Sequence, residues 1–232
     1  MTPRFASIST VSTVSTISSI SVGHPESRGI EGAAEWFQQP WTTAIYKRKA
    51  TGPVRVGVLG LSGDGQADAT HHGGPDKAIC VYSGDHYAAW RATLGLGDFV
   101  DGAFGENVTV RAQAEGDVCI GDTWSVGTVL VQISQPRQPC WKLAQKWRIK
   151  DLTAQTVANG WTGWYVRVLR EGIIATGDAL TLVERPHPAW TVAAANAVMH
   201  KGAGDAAALA ALLQLSSSWR QTLAARLGRE RP

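Results

Sequence analysis

Residues 128–140 read Thr-Val-Leu-Val-Gln-Ile-Ser-Gln-Pro-Arg-Gln-Pro-Cys and join a strand pattern to an unusual cysteine. Residues 128–134 are mostly β-branched and apolar, which is typical of a buried strand. Pro136 and Pro139 each fix their own backbone φ and push the preceding residue into extended geometry, so Cys140 follows a stiffened segment. Because such stiffening is a costly way to place a core thiol, we interpret Cys140 as a functional residue.

Nearby basic residues bear on the chemistry of Cys140. Arg137 and Lys142 favour the thiolate, which is the form that attacks electrophiles and binds soft metals. Cys80 and Cys119 lie within strand patterns and are interpreted as small buried hydrophobes. Three cysteines without a Cys-x-x-Cys spacing indicate neither a disulfide framework nor a zinc or iron–sulfur site, and they favour a reducing cytoplasm.

Strand patterns recur on both sides of this stretch and dominate the body of the chain. Gly-Asp turns separate many of them, and short helical patterns cover residues 85–94 and 152–158. This spacing predicts a mainly β fold, a barrel or sandwich, rather than a doubly wound α/β sheet. The further predicted strands are residues 17–22, 54–58, 78–82, 108–110, 118–124, 165–169 and 180–183.

The two ends of the chain differ from this body. Residues 1–16 are dominated by a Ser-Thr-Val/Ile repeat with a period of three, which matches neither strand nor helix, so we predict a disordered extension there. After Pro186 the chain becomes rich in Ala and Leu, and residues 191–201, 205–214 and 217–227 read as helices. We therefore predict a β-barrel domain over residues 17–186 and a three-helix subdomain over residues 187–232.

Composition excludes several classes of protein. Of 232 residues, 44% are apolar and 18% are charged, which is typical of a compact globular fold. No apolar run approaches the roughly 18 residues of a membrane span. The net charge is +3, and the basic surplus lies in the C-terminal helices. We interpret Arg220, Arg226 and Arg229 as solvated surface of a packed subdomain, so nucleic-acid binding is disfavoured.

A glycine turn stands out at residues 71–77, His-His-Gly-Gly-Pro-Asp-Lys. Gly73 and Gly74 let the backbone approach a ligand and can point N–H groups at an anion, while Lys77 adds a positive charge. An ordinary tight turn explains the glycines alone, but two adjacent histidines favour a binding site. His71 or His72 with Cys80 and His86 matches no standard zinc spacing.

A second short segment, Phe-Gly-Glu-Asn at residues 104–107, leads into a strand. Asn107 can bond the edge of a heterocycle as both donor and acceptor, and Glu106 can accept protons from ring nitrogens. Taken alone, the segment is better explained as a hairpin corner. No Gly-x-Gly-x-x-Gly or phosphate-loop motif is present in the sequence, so it indicates no flavin or nicotinamide site of its own.

At five motifs, in matching order and spacing, the sequence resembles the MOSC family, and specifically its YiiM-type members. This domain ends molybdenum cofactor sulfurases and also occurs as stand-alone proteins. The likeness runs from residue 17 to the C-terminus and includes a tail similar to the family's three-helix domain. The motifs are Thr-Ala-Ile-Tyr-Lys at 43–47, Gly-Leu-Ser-Gly-Asp-Gly-Gln-Ala-Asp at 60–68, His-Gly-Gly-Pro-Asp-Lys-Ala at 72–78, Phe-Gly-Glu-Asn at 104–107 and Ser-Gln-Pro-Arg-Gln-Pro-Cys at 134–140.

The resemblance implies a β-barrel-like fold that binds the molybdenum cofactor (molybdopterin), with Cys140 as the protein ligand to the metal. It implies reduction of N-hydroxylated compounds such as hydroxylaminopurines, with electrons from a separate reductase. An alternative is that Cys140 carries a persulfide and the protein delivers sulfur or cofactor to an acceptor. The residues implied to hold the cofactor are His72, Gly73, Gly74, Lys77 and Asn107, with Lys47 and Arg137 as further anion-binding candidates.

Overall fold

The computed structural model describes residues 14–229, so residues 1–13 of the predicted disordered extension, 1–16, lie outside the described residues. Thr16 already belongs to the first strand, one residue before its predicted start. The described strands are β1 (Thr16–Val22), β2 (Glu26–Arg28), β3 (Trp41–Thr43), β4 (Arg48–Lys49), β5 (Val54–Gly57), β6 (Gly60–Leu61), β7 (Ile79–Ser83), β8 (Val108–Arg111), β9 (Thr123–Val126), β10 (Val129–Pro136), β11 (Trp164–Arg170), β12 (Gly172–Ile174) and β13 (Leu180–Glu184).

Short helices lie between these strands and after them. Single 3-10 turns cover Trp36–Gln38, Pro75–Lys77 and Gly84–His86. Within residues 14–229, none of the helices combines the length and the apolarity that a membrane span requires. The α-helices are α1 (Ala69–His72), α2 (Tyr87–Leu94), α3 (Trp141–Trp147), α4 (Leu152–Asn159), α5 (Val192–Lys201), α6 (Ala206–Ala210) and α7 (Ser217–Arg229).

The main sheet has eight strands in the order β13-β9-β10-β11-β7-β8-β1-β4. Neighbouring strands are antiparallel except β7 and β8, which are parallel. The sheet curls until β1 meets the chain entering β13. There the Ile17 amide donates to the Asp178 carbonyl at 2.9 Å, and the Leu180 amide donates to the Ser15 carbonyl at 2.9 Å. The predicted barrel-like, mainly β fold is therefore confirmed.

Two apolar cores stabilise this sheet. The larger one fills the curl and includes Val56, Val110 and Ile120, all fully buried. The second is aromatic and packs the chain before β8 against α2 and α3; Trp90 and Phe104 are both 0% exposed in it. Burial of such large side chains is the main favourable contribution to folding. The aromatic core also fixes the position of residues 104–107.

The predicted strand over residues 118–124 was wrong for residues 118–122. β9 begins at Thr123, because Cys119 to Asp122 form a tight turn in which the Asp122 carboxylate accepts from the Cys119 amide at 2.9 Å. Gly121 supports this turn with a φ of 86°. Helices α1 and α3 were not predicted; they have only four and seven residues.

The predicted three-helix domain is present and shares the larger core with the barrel. Thr191 caps α5 by accepting from the Ala194 amide at 3.0 Å, and Asp205 caps α6 by accepting from the Ala208 amide at 2.9 Å. Trp219 of α7 is 2% exposed, whereas Trp190 is only partly buried. The tail is therefore packed onto the barrel by apolar contact.

We expect Trp219→Ala to lower the free energy of unfolding by about 3–5 kcal/mol, because it removes a large ring from a filled core. Leu213→Ala is the matched control in the same domain, since Leu213 is 78% exposed. It should change stability by less than about 0.5 kcal/mol. Urea unfolding followed by far-ultraviolet circular dichroism, which does not rely on tryptophan fluorescence, measures the stability of both variants. Equal effects of the two substitutions would contradict the packing described here.

Candidate functional site

The segments singled out in the sequence meet at one cleft, which is partly open to solvent. Gly73 and Gly74 lie in the turn that carries two of the lining residues. Tyr165 of β11 and the buried thiol of Cys80 on β7 also line the cleft. The predicted site residues that line it are Lys47, His72, Lys77, Asn107, Arg137 and Cys140.

Cys140 occupies the N-cap position of α3 in extended geometry, with φ −105° and ψ 167°. The segment before it is tied to β11, because the Arg137 amide donates to the Gly163 carbonyl at 3.0 Å. The Thr153 hydroxyl donates to the Cys140 carbonyl at 3.2 Å from the neighbouring helix. The Cys140 side chain is half-buried. The stiffened segment therefore places an accessible sulfur at the cleft.

The other two cysteines are buried, which confirms their prediction as core residues. Cys80 is 6% exposed and Cys119 is 1% exposed. Burial raises the pKa of the Cys80 thiol, so this group stays protonated at neutral pH. Among the thiols that line the cleft, Cys140 is the more accessible one.

Arg137 is buried beneath the cleft with one nitrogen unused. Its Nη2 donates to the Phe104 carbonyl at 2.7 Å, whereas the buried Nη1 has no hydrogen-bond partner within residues 14–229. An unpaired buried guanidinium nitrogen is costly, and its presence at a cleft wall fits an anionic ligand. The charge persists at any physiological pH because arginine does not lose its proton there.

Lys47 is not a free cation, in contrast to its predicted anion-binding role. Its Nζ forms an ion pair with Asp64, and the two side chains are 7% and 3% exposed. Asp64 also accepts from the Gly23 amide and from Asn107 Nδ2, each at 2.9 Å. The sequence analysis did not single out Asp64, although its position between two glycines marks a turn. This pair neutralises one side of the cleft.

Asn107 uses both atoms of its carboxamide within the protein. Oδ1 accepts from the Cys80 amide at 3.1 Å, and Nδ2 donates to Asp64 and to the Ser21 carbonyl. It therefore holds β1, β7 and the 60–68 segment together. The expectation that Asn107 reads a heterocycle edge does not fit these bonds, because its donor and acceptor are already engaged. A positioning role fits them.

Glu106 lies in the aromatic core rather than at the cleft. It is 0% exposed, and its Oε1 accepts from the Tyr87 hydroxyl, the Gly102 amide and the Thr109 hydroxyl at 2.6, 2.7 and 2.8 Å. These bonds fix the loop before β8. The expectation that Glu106 accepts a proton from a bound ring is therefore not supported by its location.

The glycine turn begins with α1 and places His72 and Lys77 at the cleft. A Cβ at Gly73 would lie 2.9 Å from the Ala69 carbonyl oxygen, and Gly74 has a φ of 92°, so both positions favour glycine. Lys77 Nζ donates to the His71 carbonyl at 2.7 Å, which closes the turn on itself.

The charge state of the turn differs from what its residue types suggest. Burial lowers the pKa of His72 to about 4, and the positive charge of Arg137 adds to this effect. His72 is therefore a neutral imidazole at pH 7, able to donate or accept one hydrogen bond. Burial also lowers the pKa of Lys77. Lys77, Arg137 and Lys142 give the cleft an excess of positive charge, and Cys140 gives it one accessible thiol.

Two family models match the chain. The MOSC domain model matches residues 68–181, and the model of the YiiM-like, 3-alpha helix domain matches residues 190–229. The first range contains the glycine turn, the 104–107 segment and Cys140. The second contains all three C-terminal helices.

Individual proteins agree with these matches. The chain is 39% identical over 203 residues to protein YflK of Bacillus subtilis, covering 86% of this chain and 89% of YflK. It is 34% identical over 200 residues to protein YiiM of Escherichia coli, covering 83% of this chain and 88% of YiiM. A protein named Reductase from Gibberella moniliformis is 41% identical over 154 residues, which are 65% of this chain and 27% of that protein.

A solved structure shares the fold over nearly the whole chain. The crystal structure of YiiM from Geobacillus stearothermophilus superposes with a TM-score of 0.75 at 41% identity, covering 92% of this chain and 99% of that one. The likeness therefore includes the curled sheet, the cleft and the helical tail together. On this combination of domain matches, identity and fold, the chain belongs to the MOSC family, among the YiiM-like proteins that carry a three-helix domain.

Proposed function

We propose that this protein binds the molybdenum cofactor in the cleft and reduces small N-hydroxylated compounds, such as hydroxylaminopurines, to the corresponding amines. In this reaction two electrons and two protons enter, the N–O bond breaks, and the amine and water leave. The observation that carries the proposal is the pairing, in one cleft, of an accessible Cys140 sulfur with a buried Arg137 nitrogen that lacks a partner.

The residues of the cleft fit the cofactor. Arg137 Nη1 lacks a partner, and Lys77 and Lys142 add positive charge that suits a phosphate group. Cys140 supplies a thiolate, which is a suitable soft ligand for molybdenum. When bound, the cofactor would supply the two-electron redox chemistry.

The protein's own groups divide into ligands and supports. Gly73 and Gly74 form the turn that presents His72 and Lys77 to the cleft, and His72 adds one neutral donor or acceptor. Asn107 and the Lys47–Asp64 pair hold the strands behind the cleft in place. In this division Asn107 and Lys47 act through the residues that they position. Tyr165 and Cys80 form the buried floor.

Electrons would come from a separate reductase. The sequence carries no flavin or nicotinamide motif, and the relative named Reductase has most of its length outside the part that matches this chain. That protein supports an oxidoreductase role in which further polypeptide takes part. Three free cysteines in the described structure support a reducing compartment, which we propose to be the cytoplasm.

We expect Cys140→Ser to lose both bound molybdenum and hydroxylaminopurine reduction, with at least about a hundredfold fall in rate, since a soft-metal ligand is replaced by a hard one. Cys119→Ala is the control, because Cys119 is buried away from the cleft and should leave both unchanged. Metal analysis and product chromatography measure the outcome. A metal-free wild type with cyanide-labile sulfur would instead favour the sulfur-carrier alternative.

The reductase requirement gives a separate prediction. Cofactor-loaded protein mixed with NADPH and an N-hydroxylated purine should turn over slowly or not at all, whereas adding a cell extract that contains flavin reductases should restore the reaction. The rate of amine formation is the measurement. Rapid turnover with NADPH alone would show that no separate electron donor is needed.

His72 gives a pH prediction. The pKa of its imidazole falls from 6.5 when unfolded to about 4 when folded. Between these values the unfolded chain takes up a proton that the folded chain refuses, so stability falls as the pH drops from 6.5 to 4. When the pH falls from 6.5 to 4, the free energy of unfolding should therefore decrease by about 1–2 kcal/mol less in His72→Gln than in wild type, allowing for solvent screening. Urea unfolding at both pH values tests this, with the exposed His24→Gln as control. Equal losses for wild type and His72→Gln would contradict burial of this ring.

A further inference from the structure

Asp76 lies between the glycine turn of the cleft and the three-helix domain. Its Oδ2 accepts from the Ser217 amide at 3.0 Å and from the Ser217 hydroxyl at 3.3 Å, at the first residue of α7. Its Oδ1 accepts from Arg167 Nε at 3.0 Å and from Arg167 Nη2 at 2.8 Å. Lys77, the next residue in the chain, lines the cleft. One carboxylate therefore ties the turn both to α7 and to the barrel.

The start of α7 is also bonded to the strand that leads to Cys140. The Ser216 amide donates to the Ser134 carbonyl at 2.9 Å, and the Ser218 hydroxyl donates to Gln135 Oε1 at 3.2 Å. Ser134 completes the connection, because its hydroxyl donates to the Asp76 carbonyl. Both chain segments that carry the proposed ligands thus converge on the first turn of one helix in the tail.

Charge strengthens this junction. Burial alone would raise the pKa of the Asp76 carboxyl, but hydrogen bonds from Ser217 and the charge of Arg167 outweigh it and hold the pKa below its usual value. The carboxylate also faces the positive end of a 13-residue helix. Arg167 is itself anchored, since its Nη1 donates to Gln132 Oε1 at 2.8 Å. Hydrogen bonds to charged groups are among the stronger ones in proteins.

We infer that the three-helix domain supports the cofactor site indirectly, with Asp76 as the positioning residue between them. α7 and Arg167 hold Asp76, and Asp76 holds residues 72–77 in the conformation that presents His72 and Lys77 to the cleft. This inference rests on the proposed function for what the turn binds. The bonds between α7 and the turn do not depend on the proposed function, and their effect can be measured in cofactor-free protein.

The test compares Asp76→Asn with Asp205→Asn. Both replace a carboxylate that accepts from a backbone amide at the start of a C-terminal helix, but Asp205 caps α6 and does not contact the turn. Hydrogen exchange by mass spectrometry on cofactor-free protein reports the amides of residues 69–77. We expect Asp76→Asn to speed their exchange by about tenfold, and Asp205→Asn to leave them unchanged. Unchanged exchange in Asp76→Asn would overturn the inference.

A second readout connects the turn to the cofactor. Molybdenum retained after dialysis should fall severalfold in Asp76→Asn relative to wild type and stay constant in Asp205→Asn. Faster exchange with unchanged molybdenum would overturn the positioning role. Arg167→Lys keeps the charge but loses the two-pronged contact, so it should give the same pattern with smaller effects if Asp76→Asn folds poorly. A wild type that binds no molybdenum would refute the proposed function. The exchange data would still decide whether α7 holds the glycine turn in place.

Discussion

The cleft depends on the buried carboxamide of Asn107. An amide taken out of water must find partners for both of its ends, and here those partners are three separate parts of the chain. Its oxygen accepts from β7 and its nitrogen donates to β1 and to Asp64. An apolar side chain at this position would remove the bonds to the Cys80 amide, the Ser21 carbonyl and Asp64. The requirement to satisfy these groups therefore fixes where β1, β7 and residues 60–68 stand relative to one another.

Asp64 then determines how charge is divided in the cleft. By pairing with Lys47 it removes one cation from the ligand-facing set, and it does so with almost no exposure to solvent. Arg137 has no such acidic partner, and its Nη1 is left without any hydrogen bond. His72 stays neutral because it is buried near that guanidinium. The positive field that remains is therefore concentrated on the side of the cleft near Cys140, where an anionic ligand would gain most from it.

The sequence predicted the longer elements well because their patterns are local. Alternating apolar residues located β10 and β11, and capping residues located α5 and α7, within one or two residues at most boundaries. Short elements were not predicted. Helix α1, for example, has four residues and no apolar face to detect. The 118–124 error has a different origin: the Asp122 carboxylate accepts from the Cys119 amide three residues earlier, and this local bond turns the apolar run into a corner.

Six of the eight predicted site residues line one cleft, but the bonds of Lys47 and Asn107 differ from the ligand contacts expected of them. Motif resemblance brought together residues that do share a cleft, yet it assigned Lys47 and Asn107 direct contact with a ligand. Their partners are distant in sequence: Asp64 lies 17 residues from Lys47, and Cys80 lies 27 residues from Asn107. Such pairings depend on how strands meet in space, so no local pattern could have separated a ligand from a support.

The shared apolar core has a consequence for synthesis of the protein. Val118 and Ile120 are fully covered, and they belong to the same core as Trp219 and Leu223 of the tail. As the chain emerges from the ribosome, the barrel strands appear well before the helices that cover this face. An apolar surface is therefore open to solvent and to chaperones during translation, and the bonds from α7 to the glycine turn form only after α7 has docked.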